Sequence, residues 1–154
     1  MPVIDDPMRL SGRRGTMYPK PLDQGFEGRI KRALTEKLGI TQFGVNLTTL
    51  EPGAKSSHRH WHAEEDEFVY ILSGELVLVT TAGEKVLQPG MAAGFPASDE
   101  DGHHLINCSA TAATYLEIGT RAPVETASYP DVDLRAEKRD GILRFFHKDG
   151  TPYD

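Results

Sequence analysis

Cysteine is almost missing from this chain: Cys108 is the only one in 154 residues. A lone thiol excludes an internal disulfide and any multi-cysteine zinc cluster, and it reads as a small, buried residue in a reducing compartment. Phosphate-binding glycine signatures are missing too, with no G-x-G-x-x-G and no P-loop. His62-Ala63-Glu64-Glu65-Asp66 is not the HExxH of a zinc protease, because no second histidine closes it. Basic charge is short, with 17 Lys and Arg against 23 Asp and Glu. The net charge of -6 leaves no broad positive field for a nucleic-acid backbone. No apolar run approaches the roughly 20 residues of a membrane span, and Met1 to Pro7 lacks the regions of a signal peptide. No ten-residue stretch carries a helical stripe. The expectation is a soluble, cytoplasmic protein that binds neither nucleic acid nor membrane.

What is present suits many short strands. The 15 glycines and 10 prolines are spread along the chain and punctuate β-branched and aromatic runs. Residues 1–40 read as a surface arm and an edge strand, with Arg9, Arg13 and Arg14 solvated or, alternatively, binding phosphate, and with helix and strand periods nearly tied over 28–36. Residues 41–120 read as the strand-rich core and 121–154 as a C-terminal extension, all within one domain of 1–154. In 41–50, Phe43, Val45 and Leu47 alternate with Gly44, Asn46 and Thr48. Further runs lie at 67–72, 76–80, 85–87, 91–95, 103–107 and 114–118, each bounded by turn residues. Such regular spacing predicts an all-β sandwich or barrel. Over 67–72 both faces are apolar, as expected for a strand covered on both sides. The extension ends in Ile142-Leu143-Arg144-Phe145-Phe146, which either packs outside the barrel or adds a strand to a second copy; a homodimer is expected.

The chemistry concentrates at His58-Arg59-His60-Trp61-His62 and Glu67. In an extended strand the three histidines share one face, with Trp61 on the other. A turn through residues 63–66 brings Glu67, at the head of the next strand, across from them. Two imidazoles and a carboxylate from neighbouring strands begin a metal site. A third imidazole comes from His103 or His104, of which only one can face inward. Glu64, Glu65, Asp99 and Glu100 read as solvated loop charges. By alternation, Phe43, Val45, Val69, Ile71, Val77 and Phe95 line an apolar cavity.

These residues resemble the two motifs of the cupin superfamily. His60-Trp61-His62, four residues, Glu67, six residues and Gly74 match the first. Gly83, five residues, Pro89-Gly90, and later His103, three residues and Asn107 match the second with a long insertion. Gly53 lies one residue further from His60 than the family pattern has it. The resemblance implies a double-stranded β-helix, or jelly-roll, barrel with an N-terminal arm and a short C-terminal extension. It implies a divalent transition metal (Fe, Mn, Ni, Co or Zn) on His60, His62, Glu67 and His103, with His58, His104 and Asn107 near the site.

Cupins run many reactions, so fold and ligands do not choose one. The first expectation is a metal-dependent oxygenase, dioxygenase-like, acting on a small organic molecule. The alternatives are a metal-dependent isomerase or lyase on a sugar or carboxylate, and a non-catalytic binder of small molecules.

Overall fold

The computed structural model describes residues 1–154. Strand β1 (Arg13–Arg14) lies in the arm, and β2 (Arg29–Ala33) runs directly into α1 (Leu34–Leu38). The tied periods of 28–36 are thus divided between a strand and one helical turn, which Gly39 ends in the left-handed region at φ 73°. There follow β3 (Phe43–Leu50), β4 (Trp61–His62), β5 (Glu67–Ser73), β6 (Leu76–Thr80) and β7 (Gly83–Leu87). The chain continues through β8 (Ala92–Phe95), β9 (His104–Ile106) and β10 (Ala113–Thr120), then β11 (Glu125–Ser128), β12 (Arg135–Arg139) and β13 (Ile142–Phe146). No helix is long and apolar enough to cross a membrane.

All pairings are antiparallel and form three sheets. The largest has the order β1-β2-β3-β10-β5-β8, a second runs β13-β12-β11-β4, and a third is β7-β6-β9. This is the all-β jelly-roll expected from the strand spacing and the motifs. Sequence-distant neighbours such as β3 and β10 are what a double-stranded β-helix requires. Gly74 makes the β5–β6 turn possible: its φ is +74°, and a Cβ there would stand 2.7 Å from the Ala112 carbonyl oxygen.

Register decides what each sheet face presents. On the inner face of the large sheet, Glu117 pairs with Asn46 and Val69, and Tyr115 pairs with Thr48 and Ile71. Below the site, Leu50, Val69, Ile71, Leu76, Leu87, Leu105 and Tyr115 form one buried cluster. A second cluster of Ala127, Tyr129, Leu134 and Ala136, with Tyr18 and Phe145 against it, joins the extension to the arm.

Three expectations change here. The face of β5 bearing Phe68, Tyr70 and Leu72 is uncovered, at 41%, 38% and 44% exposure, so that strand is buried on one side only. The extension does not lie outside the barrel. It builds its own sheet onto the histidine strand, with Ala127 opposite His62 and Ser128 opposite Trp61. Cys108 is exposed rather than buried.

Ile71 is fully buried in the main cluster. Ile71→Ala should therefore lower unfolding free energy by about 2–5 kcal/mol in urea titration. A loss under about 1 kcal/mol would mean that the cluster does not carry the barrel.

Candidate metal centre

Only part of the histidine run is strand. Trp61 and His62 form β4, and His60 is held by a single bridge to His103, with His60 N–H to the His103 carbonyl at 3.2 Å and the reverse bond at 2.9 Å. That bridge sets two imidazoles side by side, while the turn after β4 returns the chain to Glu67. His60 Nε2, His62 Nε2 and His103 Nε2 lie 3.7, 3.2 and 3.1 Å from one oxygen, Glu67 Oε2. The donor atoms of His60, His62 and Glu67 all fall within 4.8 Å of one another.

The spacing of His60, His62 and Glu67 is that of ligands to a single ion, and His103 joins them through Glu67. Donors about 2.0–2.2 Å from a divalent metal stand roughly 3 to 3.5 Å apart. One carboxylate oxygen with three imidazole nitrogens around it has more neighbours than its lone pairs can serve as an acceptor. A cation among those four groups removes the conflict, so the residues present fit a metal. The hard carboxylate and three borderline imidazoles suit Fe, Mn, Co, Ni or Zn.

Supporting bonds orient the rings. His60 Nδ1–H donates to the His58 carbonyl at 2.9 Å, which turns the Nε2 lone pair inward. His103 is buried and stacked on Phe95 at 3.5 Å between ring centroids. Glu125 accepts from the backbone N–H groups of Ala63 and Glu64 at 2.8 and 3.0 Å and stands 3.7 Å from His62 Nδ1. Burial pushes the Glu67 carboxyl up, but its bonds to His103, His60 and His62 outweigh this and hold it well below the usual carboxylate range. Burial depresses the His62 imidazole, and Glu67 with Glu125 more than reverses it, so the net shift is upward. For His103 burial prevails and the shift is downward.

The remaining sequence candidates separate. His104 lines the same cavity, but its Nδ1 bonds the Ser57 carbonyl at 2.9 Å. His58 leaves the shared face because residues 57–59 are not strand; its Nε2 bonds the Leu22 carbonyl at 2.8 Å and its ring packs on Tyr18 and Phe26. Asn107 is a backbone pin, donating to the Leu50 and Thr111 carbonyls at 2.8 Å each. Neither His58 nor Asn107 lines the cavity.

The cavity has a volume of about 650 Å³ and is not apolar. Val69 and Phe95 line it as expected, and Ile71 lies in the buried cluster beneath. Phe43 and Val45 face the other way, because Asn46 rather than its apolar neighbours points into the cavity. Val77 is also outside it. Glu65 is no solvated loop charge: it lines the cavity and bonds Lys138 Nζ at 2.8 Å and Ala122 N–H at 2.9 Å. Tyr115, Glu117, Glu125 and Tyr129 also line it, and sequence reasoning missed all four. Polar residues at alternate positions 115 and 117 of an apolar strand were the available signal. Glu125 and Tyr129 gave none, because β11 reaches the site by tertiary pairing alone. Trp61 lines a second cavity of about 230 Å³ that shares His62, Phe95 and His103 with the first.

A cupin-domain family profile matches residues 46–119. A sugar phosphate isomerase of the cupin superfamily from Silicibacter pomeroyi is 45% identical, with 97% of this chain and 95% of that one covered and a TM-score of 0.91. The chain belongs to the cupin superfamily. A protein from Acidithiobacillus ferrooxidans, with sugar phosphate isomerase as its provisional name, is 26% identical over 92% of this cupin and 88% of that chain, at a TM-score of 0.80. The polyketide cyclase RemF from Streptomyces resistomycificus shares the fold at 18% identity and a TM-score of 0.62, covering 79% of this cupin and 81% of that chain. No curated protein matches the chain significantly.

Elemental analysis of purified protein should find near-stoichiometric divalent metal, lost in His60→Ala and Glu67→Ala and retained in His58→Ala. Equal metal content in all four proteins would remove this site.

Proposed function

We propose that this cupin, one domain over 1–154, is a cytoplasmic metal-dependent isomerase of a phosphorylated sugar, its metal held by His60, His62, Glu67 and His103. One observation carries the reading. The four-donor set opens on a cavity of about 650 Å³ lined by ionised and polar groups, in a chain 45% identical over nearly its full length to a sugar phosphate isomerase. An oxygenase for an apolar compound has less support, because charged and polar groups share the lining with apolar ones where the sequence suggested apolar walls. The free thiol of Cys108 suits a reducing location.

When bound, the metal supplies Lewis-acid polarisation of oxygens on adjacent substrate carbons. The chain supplies the proton chemistry. Glu117 lies on the inner face of β10, and its partner Val69 is two residues along β5 from Glu67. That offset is about 7 Å along a strand, outside the ligand set and within reach of a carbon held beside it. Lys31 Nζ, 3.4 Å away, fixes the carboxylate. Glu117 takes a proton from one carbon and returns it to its neighbour. Asn46, Glu117's cross-strand partner, offers both a donor and an acceptor to sugar hydroxyls.

Glu117→Gln should lower kcat on the sugar phosphate that is turned over by about 10²–10⁴-fold with metal content unchanged. Activity of the wild type should persist without O2. Oxygen uptake coupled to turnover would restore the oxygenase reading, and full activity in Glu117→Gln would remove the carboxylate from the chemistry.

The expected homodimer keeps its place as a proposal but moves to another surface. Phe43, Phe68, Tyr70 and Leu72 leave the outer face of the large sheet apolar and open. Light scattering should show a dimer for the wild type and a monomer for Phe68→Glu/Leu72→Glu. A wild-type monomer would refute it.

A further inference from the structure

The cavity has a second chemical pole besides the imidazoles. Strand β1 pairs with β2 so that Arg13 stands opposite Lys31, and alternation puts Arg29 on the same face. All three line the cavity that contains His60, His62, Glu67 and His103. Three cations adjacent on one wall are notable in a chain of net charge -6.

Carboxylates do not balance that wall. Lys31 meets only Glu117, at 3.4 Å. Arg13 forms no ion pair, and Glu36, which also lines the cavity, pairs with none of the three. Arg29 donates from one terminal nitrogen to the Gly15 carbonyl at 3.0 Å, while its Nε–H is buried with no acceptor at all. A buried donor on an ionised group without a partner is a cost the fold bears until an acceptor arrives. Two guanidinium forks and an ammonium present many donors to one region. A phosphate monoester answers them with a dianion and three terminal oxygens, where a carboxylate brings one charge and two oxygens.

We infer that Arg13, Arg29 and Lys31 form a phosphoryl subsite, receiving a phosphate monoester dianion on the β1–β2 side of the cavity that holds the imidazole–carboxylate set. The identity of the ligand's other end rests on the isomerase reading; the cation wall stands on its own geometry. The arm therefore belongs to the binding site, since Arg13 reaches it only through the β1–β2 pairing.

The test is a titration of metal-loaded protein with inorganic phosphate, followed by 31P NMR line broadening and by calorimetry. Arg29→Met and Arg13→Met should each weaken phosphate at least tenfold with metal content and circular dichroism unchanged; the Arg13 variant, on an exposed strand, guards against misfolding in the other. His60→Ala should keep phosphate affinity within about twofold, because the subsite is separate from the metal. Unchanged affinity in both arginine variants, no binding by the wild type, or loss of binding in His60→Ala would each overturn the subsite. Kinetics with ribose 5-phosphate, arabinose 5-phosphate and glucose 6-phosphate separate the two readings. Turnover with KM unchanged in both arginine variants defeats the subsite and leaves the isomerase. Phosphate binding lost in the variants, with none of the three sugars converted, defeats the isomerase for them and leaves the subsite.

Discussion

Glu67 carries its negative charge in a largely buried place, and the inner half of the barrel is arranged so that it can. Desolvation alone would protonate it. Three imidazoles from two stretches of chain prevent that, His60 and His62 from one and His103 from the other. Each depends on backbone pairing elsewhere. The mutual bridge between residues 60 and 103 fixes two rings, and the pairing of β4 with β11 fixes the third. A buried carboxylate stripped of these partners would be costly, so the site and the fold hold each other in place.

The same dependence explains why both chain ends enter the site. The C-terminal hairpin closes one side and brings Glu125, whose two oxygens cap the turn between β4 and β5. The arm closes the other, where Tyr18 packs against His58, Phe26, Tyr129 and Phe145. A cupin barrel of residues 46–119 alone would contain the imidazole–carboxylate set but lack the basic wall and the Glu125 cap. The basic wall and the Glu125 cap thus come from outside the segment that the family profile matches.

Much of this was legible in the sequence for physical reasons. Strand positions followed from period-2 patterns and turn residues, and the convergence of His60, His62, Glu67 and His103 followed from alternation together with motif spacing. One cause of failure is that alternation fixes which residues share a face but not which face is inside. In β3 the apolar set Phe43 and Val45 looked inward, yet Asn46 and Thr48 took that side, Asn46 facing the cavity and Thr48 buried opposite Tyr115. His58 fell out of the shared face once residues 57–59 left strand geometry. Glu125 and Tyr129 carry no local mark, since only long-range pairing brings them to the cavity.

The most direct test of the central claim is X-ray absorption at the edge of the metal bound by purified protein. A first shell of light atoms at about 2.0–2.2 Å is expected, with the multiple-scattering pattern of three imidazoles and room for one carboxylate oxygen. A shell containing sulfur, or fewer than three imidazoles, would place the metal elsewhere and contradict the claim that Glu67 and its three histidines form its site.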